Sequence, residues 1–518
     1  MKMQTNKFKQ RFWLAIYFIY LVFSTGMIAT GIWPAQAAYI NLAVQIAALF
    51  AFDIEHALYS AVLAIPFYLV LPNAKFDTFS QWRIVFLVLL FLVAYKKKLL
   101  ENREKLFSWD NWLAFFAAAI LISIFFAADK YLGIKKFAFV FNAYFIYLAF
   151  YYAVKTKEQV LRAFKAVSVP LFAYVIFGFV QLVISWASNI YYFWQYWATV
   201  VARPFYGSMF SDTSAYSNSW FSFDNHVPSL RMFSLLPDSH SFAVICVFSI
   251  LFASALIHFY RSKVGGRAKM ARIFLWIMLV LSVLGLVFSG TRGVWAGIAA
   301  PIIVMSYLFI RHHGRQLIKP MFVPIFIFLL AIAASPLINR GLDSLLNQST
   351  QGNFLSRAKS IYSLTESSNA GRLKIWGYTL EHIVAVHPLV GIGYGNFETA
   401  VTPAQEMQFN LPKDYITAHS LYLDVLAEAG ILGLAGLLAY FFRIAAEFWE
   451  FFRTHYLFGS DSYVFFAVNA GLYILWLFAY SLVDGTMIND RVLMFFFITL
   501  ALSARIIKIY SKDKAADA

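Results

Sequence analysis

Apolar residues in this chain run in long unbroken blocks, separated by short basic or polar stretches. A helix rising ~1.5 Å per residue needs about 18–20 apolar residues to cross a ~30 Å hydrocarbon core. About fourteen runs meet or approach that length: 13–31, 36–52, 56–72, 83–95, 111–128, 136–154, 166–187, 237–259, 272–289, 292–310, 319–338, 419–443, 463–483 and 491–509. The runs 36–52, 56–72 and 83–95 are the shortest and read as re-entrant or tilted; losing one adjacent pair leaves about twelve and the same sidedness. The pattern predicts an all-α, polytopic integral membrane protein with about 12–14 transmembrane helices. It divides into N-terminal helices (1–187), an aromatic external loop (188–236), central helices (237–338), a large external loop (339–418) and C-terminal helices (419–518).

Composition agrees: 61% apolar and 13% charged residues lie far from soluble-domain averages. A net charge of +16 raises nucleic acid as a partner, but the distribution of the charge excludes it. Basic residues crowd alternate loops: Lys96, Lys97, Lys98, Arg103 and Lys105; Lys155, Lys157, Arg162 and Lys165; Arg261, Lys263, Arg267, Lys269 and Arg272; Arg311, Arg315 and Lys319. Lys2, Lys7, Lys9 and Arg11 at one end and Lys508, Lys512 and Lys514 at the other fall on the same side. The positive-inside rule makes that side, and both termini, cytoplasmic. The start also carries "PAQAA" (34–38), an A-x-A cleavage pattern at Ala35 and Ala37, but a second apolar run follows at once and favours an uncleaved anchor. Cys246 is the single cysteine, so no intramolecular disulfide or multi-cysteine metal site forms. No Walker or dinucleotide glycine motif is present, and no cofactor is expected.

The external segments hold the candidate chemistry. "NIYYFWQYW" (189–197) and "SWFSFD" (219–224) make the first loop aromatic, as an interfacial belt or, alternatively, as a surface for sugar or lipid stacking. The second loop is longer than a connection needs to be, and 371–388 carries Leu373, Trp376, Leu380, Ile383 and Val384 at helical spacing. An amphipathic helix is expected there, ended by Pro388 and "GIGYGNF" (391–397). Arg292 lies in a very short external turn and Arg372 begins the amphipathic helix; each is an interfacial anchor or a phosphate contact, for which a guanidinium fork is suited. His419 falls in the first turn of a spanning helix, as a polar start or as a base kept neutral by the helix dipole. Glu428 is deeper and needs a partner or a cavity. Gly430, Gly433 and Gly436 suit close helix packing.

Four stretches carry a resemblance: "SGTRGVW" (289–295), "GRLKIW" (371–376), "HPLVGIGYGNF" (387–397) and "AHSLYLDVLAEAGILG" (418–433). In this order they are similar to the hallmarks of the O-antigen ligase / O-antigen polymerase superfamily. The last matches the ligase pattern of histidine, a small polar residue, nine residues, then Gly-x-x-Gly, at His419, Ser420, Gly430 and Gly433. "RMFSLLPDSHSFA" (231–243) resembles a looser upstream stretch. The chain departs from the family in its greater length, its expanded aromatic loop and an extra helix pair.

The resemblance implies metal-independent glycan transfer, without cofactor, on the periplasmic face of the bacterial inner membrane. Its donor is a glycan on undecaprenyl diphosphate, and its acceptor is a sugar hydroxyl on lipid A-core or a growing glycan. His419 then deprotonates or orients the acceptor, Arg292 and Arg372 hold the diphosphate, and Arg231, Glu428 and Ser420 support them. A polymerase that extends another lipid-linked repeat, and a transferase acting on protein, stay open within the superfamily. A transporter or lipid-linked oligosaccharide flippase stays open outside it, although such proteins place their polar groups near the midplane.

Overall fold

The computed structural model describes residues 2–72, 79–98, 104, 106–208, 211, 219–224, 227–311, 315, 319–346, 354–364, 366–401, 405, 407, 417–456 and 461–516. Arg103 and Lys105, parts of the long loop (347–353, 402–404, 408–416) and the side chains of Lys2, Lys7 and Lys514 lie outside them.

The chain is an all-α, multi-pass membrane protein. The helices are α1 (Lys2–Ala29), α2 (Ala37–Ala51), α3 (Ile54–Leu63), α4 (Gln81–Lys96), α5 (Ser108–Phe125), α6 (Lys130–Asn142), α7 (Tyr144–Ala153), α8 (Lys157–Ala187) and α9 (Ile190–Tyr196). After a two-stranded hairpin, β1 (Phe221–Asp224) and β2 (Val227–Leu230), come α10 (Ser239–Arg261), α11 (Gly266–Phe288), α12 (Arg292–Gly297), α13 (Ala299–Ile310) and α14 (Phe322–Leu346). The long loop holds α15 (Phe354–Lys359) and α16 (Ser367–Tyr378); α17 (Leu421–His455), α18 (Ser462–Tyr480) and α19 (Asp490–Ala516) complete the bundle.

Among the described residues ten helices are long and apolar enough to span, with Ala37–Ala51 and Phe322–Leu337 as shorter apolar helices. The run 136–154 spans as α6 and α7 together, Lys130–Ala153. One of the weakest runs, 56–72, is short for a physical reason. In 56–72 the helix stops at Leu63, and a 3₁₀ turn at Ile65–Phe67 with Pro66 leads into extended chain. That non-helical backbone is buried by protein, and the Gln81 side chain accepts from Leu69 N at 3.1 Å and from Gln45 Nε2 at 3.0 Å. Irregular backbone is tolerated at membrane depth only when it is covered and satisfied in this way.

The aromatic loop divides by exposure. Tyr191, Tyr192 and Tyr196 face outward, while Phe193 is buried and Trp220 stacks on Phe233 at 4.6 Å. The amphipathic helix forms, but its apolar face is rotated from the sequence expectation. Ile375, Tyr378, Thr379 and Ile383 are buried, whereas Leu373 and Leu380 are exposed. The inward face is set by Ile375 and Tyr378 before a π-helical turn at Thr379–Val384 is reached, so it is the packing partners and not the apolar spacing alone that choose it.

Candidate active site

The turn after α11 gathers cations. Gly290 has φ +61°, a left-handed conformation that favours glycine, and a Cβ there would lie 3.3 Å from Arg357 Nε and 3.6 Å from Arg231 Nε. Arg231 Nε donates to the Ser289 carbonyl at 3.1 Å, its Nη2 to Thr291 Oγ1 at 3.3 Å, and Arg357 Nη2 donates to the Gly290 carbonyl at 3.2 Å. Burial lowers the proton affinity of Arg231, and the neighbouring charges of Arg357 and Arg292 reinforce the shift, to about 9. An anion bound here would relieve the repulsion that Arg357 and Arg292 exert on Arg231.

Arg292 opens α12 and reaches outward. Its Nη1 donates to Ser360 Oγ at 2.7 Å and its Nη2 to Glu366 Oε2 at 2.9 Å. Glu366 is also the N-cap of α16, accepting from Asn369 N at 3.1 Å. One carboxylate thus ties the helix of the long loop to the turn. Arg372 lies within α16 rather than at its start, because the cap is Glu366. Its guanidinium makes no hydrogen bond or ion pair among the described residues, and its charge acts on His419.

His419 is not in the first turn of a spanning helix, as its sequence position suggests. Ser420 is the N-cap of α17, its hydroxyl accepting from Leu423 N at 3.4 Å, so the helix begins at Leu421. His419 precedes it with φ +51°, a left-handed conformation uncommon outside glycine. Its neighbours hold it there: Trp376 Nε1 donates to the Ala418 carbonyl at 2.8 Å, Ala418 N to Asp424 Oδ1 at 2.6 Å, and Leu421 N to the Ser481 carbonyl at 3.0 Å. Burial lowers the imidazole pKa from 6.5 to about 4, with Arg372 and His240 acting the same way and Asp484 opposing. Desolvation and neighbouring cations, rather than the helix dipole, keep the ring neutral.

Asp484 and His240 complete the cluster. The Asp484 carboxylate lies 2.7 Å from His240 Nδ1, which is also 3.0 Å from the Tyr480 hydroxyl. Thr486 donates to Asp484 through its backbone at 2.8 Å and through its hydroxyl. Burial alone would raise the Asp484 carboxyl, but His240, His419 and the Thr486 hydroxyl hold it well below the usual carboxylate range. His240 Nε2 in turn sits 3.5 Å from Arg231 Nη2, so the network links the arginine turn to the carboxylate beside His419.

The base of the site is a broken helix. Gly430 interrupts α17 with φ +64° and ψ −167°, a conformation essentially reserved for glycine. Ile392 N donates to the freed Ala427 carbonyl at 2.9 Å and Gly393 N to that of Glu428 at 3.0 Å. A Cβ at Gly430 would lie 2.2 Å from Leu389 O. Gly430 therefore seats the 388–397 segment and does not serve simple helix packing; Gly436 does pack helices, since a Cβ there would lie 2.9 Å from Phe116 Cα of α5. Glu428 finds the partner its depth requires in Lys136, at 2.7 Å.

The structure therefore brings together Arg231, Arg292, Arg372, His419 and Ser420 from the sequence expectations, with Glu428 below as a structural ion pair. Sequence reasoning missed Arg357, Glu366, His240 and Asp484. The last two lie on the same side of the bundle as Arg292, in "PDSH" and "VDGT", and only that placement signalled them. No curated protein matches the chain. Residues 277–438 match the O-Antigen ligase family, a stretch that contains Arg292, Arg372 and His419, and over that part the chain is similar to the O-antigen ligase-like superfamily.

Proposed function

We propose that this protein transfers a glycan from undecaprenyl diphosphate to a sugar hydroxyl at the periplasmic face of the bacterial inner membrane, with His419 as the acceptor's base. The observation that carries the reading is a half-buried His419 set between the charges of Asp484 and Arg372, where desolvation holds its pKa at about 4 and so favours the neutral imidazole. The neutral imidazole takes the acceptor's proton as its oxygen attacks the anomeric carbon. The sugar–phosphate bond breaks, and undecaprenyl diphosphate leaves with the bonding electrons. Asp484 stabilises the imidazolium as it forms, and its ion-pair partner His240 orients it. Arg292 and Arg372 hold the diphosphate and stabilise its developing charge, with Arg231 and Arg357 behind them. Glu366 occupies Arg292 until the donor displaces it. The alternation of basic loops supports cytoplasmic termini and a position of this cluster outside.

The ligase reading is preferred to the polymerase reading on the His-Ser-x9-Gly-x-x-Gly spacing at His419, Ser420, Gly430 and Gly433. A broken helix is also a transporter feature; here its freed carbonyls are engaged by Ile392 and Gly393 rather than open to an ion. A deletion strain tests the reading. Loss of surface glycan with accumulation of long lipid-linked polymer supports a ligase, and accumulation of single repeat units supports a polymerase. An unchanged glycan profile overturns both.

A further inference from the structure

A second group of cations gathers far from the arginine turn, at the other end of α19. Asp484 lies just before that helix starts at Asp490, whereas Arg505 and Lys508 are four turns and more along it, about 22 Å deeper at ~1.5 Å per residue. Glu104, in the connection between α4 and α5, meets three cations at once: Lys155 Nζ at 2.8 Å, Arg505 Nη1 at 2.7 Å and Lys508 Nζ at 3.2 Å. Three cations against one carboxylate leave an excess of positive charge on these four side chains. Desolvation, reinforced by the charges of Arg505 and Lys508, lowers Lys155 to about 8 in spite of its bond to Glu104, so the cations repel one another. Arg505 is 3% exposed. Its Nε donates to the Tyr151 carbonyl and its guanidinium lies 3.8 Å over the Tyr151 ring, but Nη2 has no hydrogen-bond partner among the described residues. The guanidinium is a planar fork, so Nη2 stands beside the Nη1 that holds Glu104 and belongs to the same cluster. A charged donor left unmet away from water is costly.

We propose that this cluster binds the phosphodiester of an anionic lipid in the cytoplasmic leaflet, held by the ammonium groups of Lys155 and Lys508 with the spare Nη2 of Arg505 at its base. The inference rests on the sidedness read from the basic loops and not on the transfer reaction. A lipid headgroup suits the position better than a free anion. Lys155 follows the end of one spanning segment, Lys130–Ala153, and Lys508 lies near the end of another, Asp490–Lys512, so the cluster sits at headgroup depth. Lys155 and Lys508 are 30% and 21% exposed, open to a headgroup on one side. The helix α4, which packs against α7, turns Phe91 and Tyr95 outward as apolar surface for acyl chains. A zwitterionic lipid carries the same phosphodiester but brings its own ammonium group, which the excess positive charge repels. One bound phosphodiester would tie together the α4–α5 connection, the α7–α8 connection and α19.

The test uses the full-length protein in detergent, with lipid binding followed by native mass spectrometry. Dioleoyl phosphatidylglycerol should bind saturably and about tenfold more tightly than dioleoyl phosphatidylcholine, as one charge-assisted hydrogen bond provides. Inorganic phosphate in large excess should leave the bound phosphatidylglycerol in place. Lys155→Gln combined with Lys508→Gln leaves Arg505 paired with Glu104 and removes the excess charge, so phosphatidylglycerol should fall to the level of phosphatidylcholine. Lys263→Gln combined with Arg267→Gln removes the same charge from the exposed α10–α11 connection and should keep the preference. Equal binding of the two lipids to the unaltered protein, displacement by inorganic phosphate, or an equal loss in both double variants overturns the proposal. The comparison of lipids on the unaltered protein decides the matter even where the first double variant fails to fold. No transfer is measured, so the outcome is independent of the role of His419.

Discussion

The Asp484 carboxylate lies 2.7 Å from Nδ1 of His240, and the same carboxylate is the one group that raises the proton affinity of His419 against burial, Arg372 and His240. His419 and the carboxylate that favours its protonated form lie on either side of α17 and α18 in the chain and meet only through folding. The pH profile should record this. His419 is held at about 4, so the acid limb of kcat/KM lies near 4 rather than at the ordinary 6.5. Arg372→Ala removes a lowering influence and should move the limb up; Asp484→Asn removes the raising one and should move it down. The unfolded chain takes up a proton on this histidine between 6.5 and about 4, so its neutral burial contributes stability above 6.5 that is lost as pH falls through that window. Limbs that do not move in either variant assign the titration to another group.

His419→Ala should abolish transfer with purified protein, a loss of about 10²–10⁴ in rate, while insertion and monodispersity stay unchanged. The side chain precedes the helix and its backbone is held by Trp376, Asp424 and Ser481, so its removal leaves the scaffold in place. Transfer near the wild-type level would reduce His419 to a polar lead-in to α17.

Arg292→Ala and Arg372→Ala should raise the KM for the lipid-linked donor as well as lower kcat, and lysine at either position should restore only part, since an ammonium lacks the bidentate fork. Glu366→Gln should act in the opposite sense on donor binding, lowering KM, because it weakens the carboxylate that competes for Arg292 at 2.9 Å. Donor KM rising in Glu366→Gln would show that this pair orders the site and does not gate it.

Gly430→Leu and Gly391→Ala should each lower the amount of folded protein. A Cβ at Gly391 would lie 2.5 Å from Ala427 O, and one at Gly430 2.2 Å from Leu389 O, so neither backbone can close on the other. Non-glycine residues in such backbone regions cost about 1–3 kcal/mol before any clash is counted. Normal fluorescence-detected size-exclusion yield for Gly430→Leu would count against the broken-helix seat.

Lys136→Met alone, which leaves Glu428 buried without its partner, should destabilise by about 3–5 kcal/mol. Lys136→Met with Glu428→Leu should recover most of that, because an apolar pair of similar volume needs no compensation. A double variant no more stable than the single, judged by thermal melting in detergent, would make the pair indispensable.

Cysteines introduced at 96–110, 261–271 or 312–318 should be shielded from impermeant thiol reagents in intact cells, and cysteines at 339–418 should be labelled. Labelling of the basic loops would reverse the sidedness and remove the cluster from the periplasm.

Much of this was legible in the chain itself. Long apolar blocks dictate helices, because a backbone in lipid has to satisfy its own hydrogen bonds. Alternating basic loops specify a sidedness, and the stretches around Arg292, Arg372 and His419 mark one face as chemical. The sequence by itself determined the class and the approximate helix count, and it singled out Arg292, Arg372 and His419 as candidates. Tertiary structure decided the rest. Asp484 carries no local signal and His240 only its place in the looser 231–243 stretch, and their 2.7 Å approach alone makes them a network. Glu366 as the occupant of Arg292, and Lys136 as the partner of Glu428, join residues far apart in the chain. The inward face of α16 follows Ile375 and Tyr378 rather than Leu373, a choice made by what packs against the helix. Gly430 looked like helix packing because glycine serves both purposes; only the segment at Leu389 pressed against it makes it a break. Periodicity reports what one element buries, whereas electrostatic partners and backbone-to-backbone contacts depend on which elements meet.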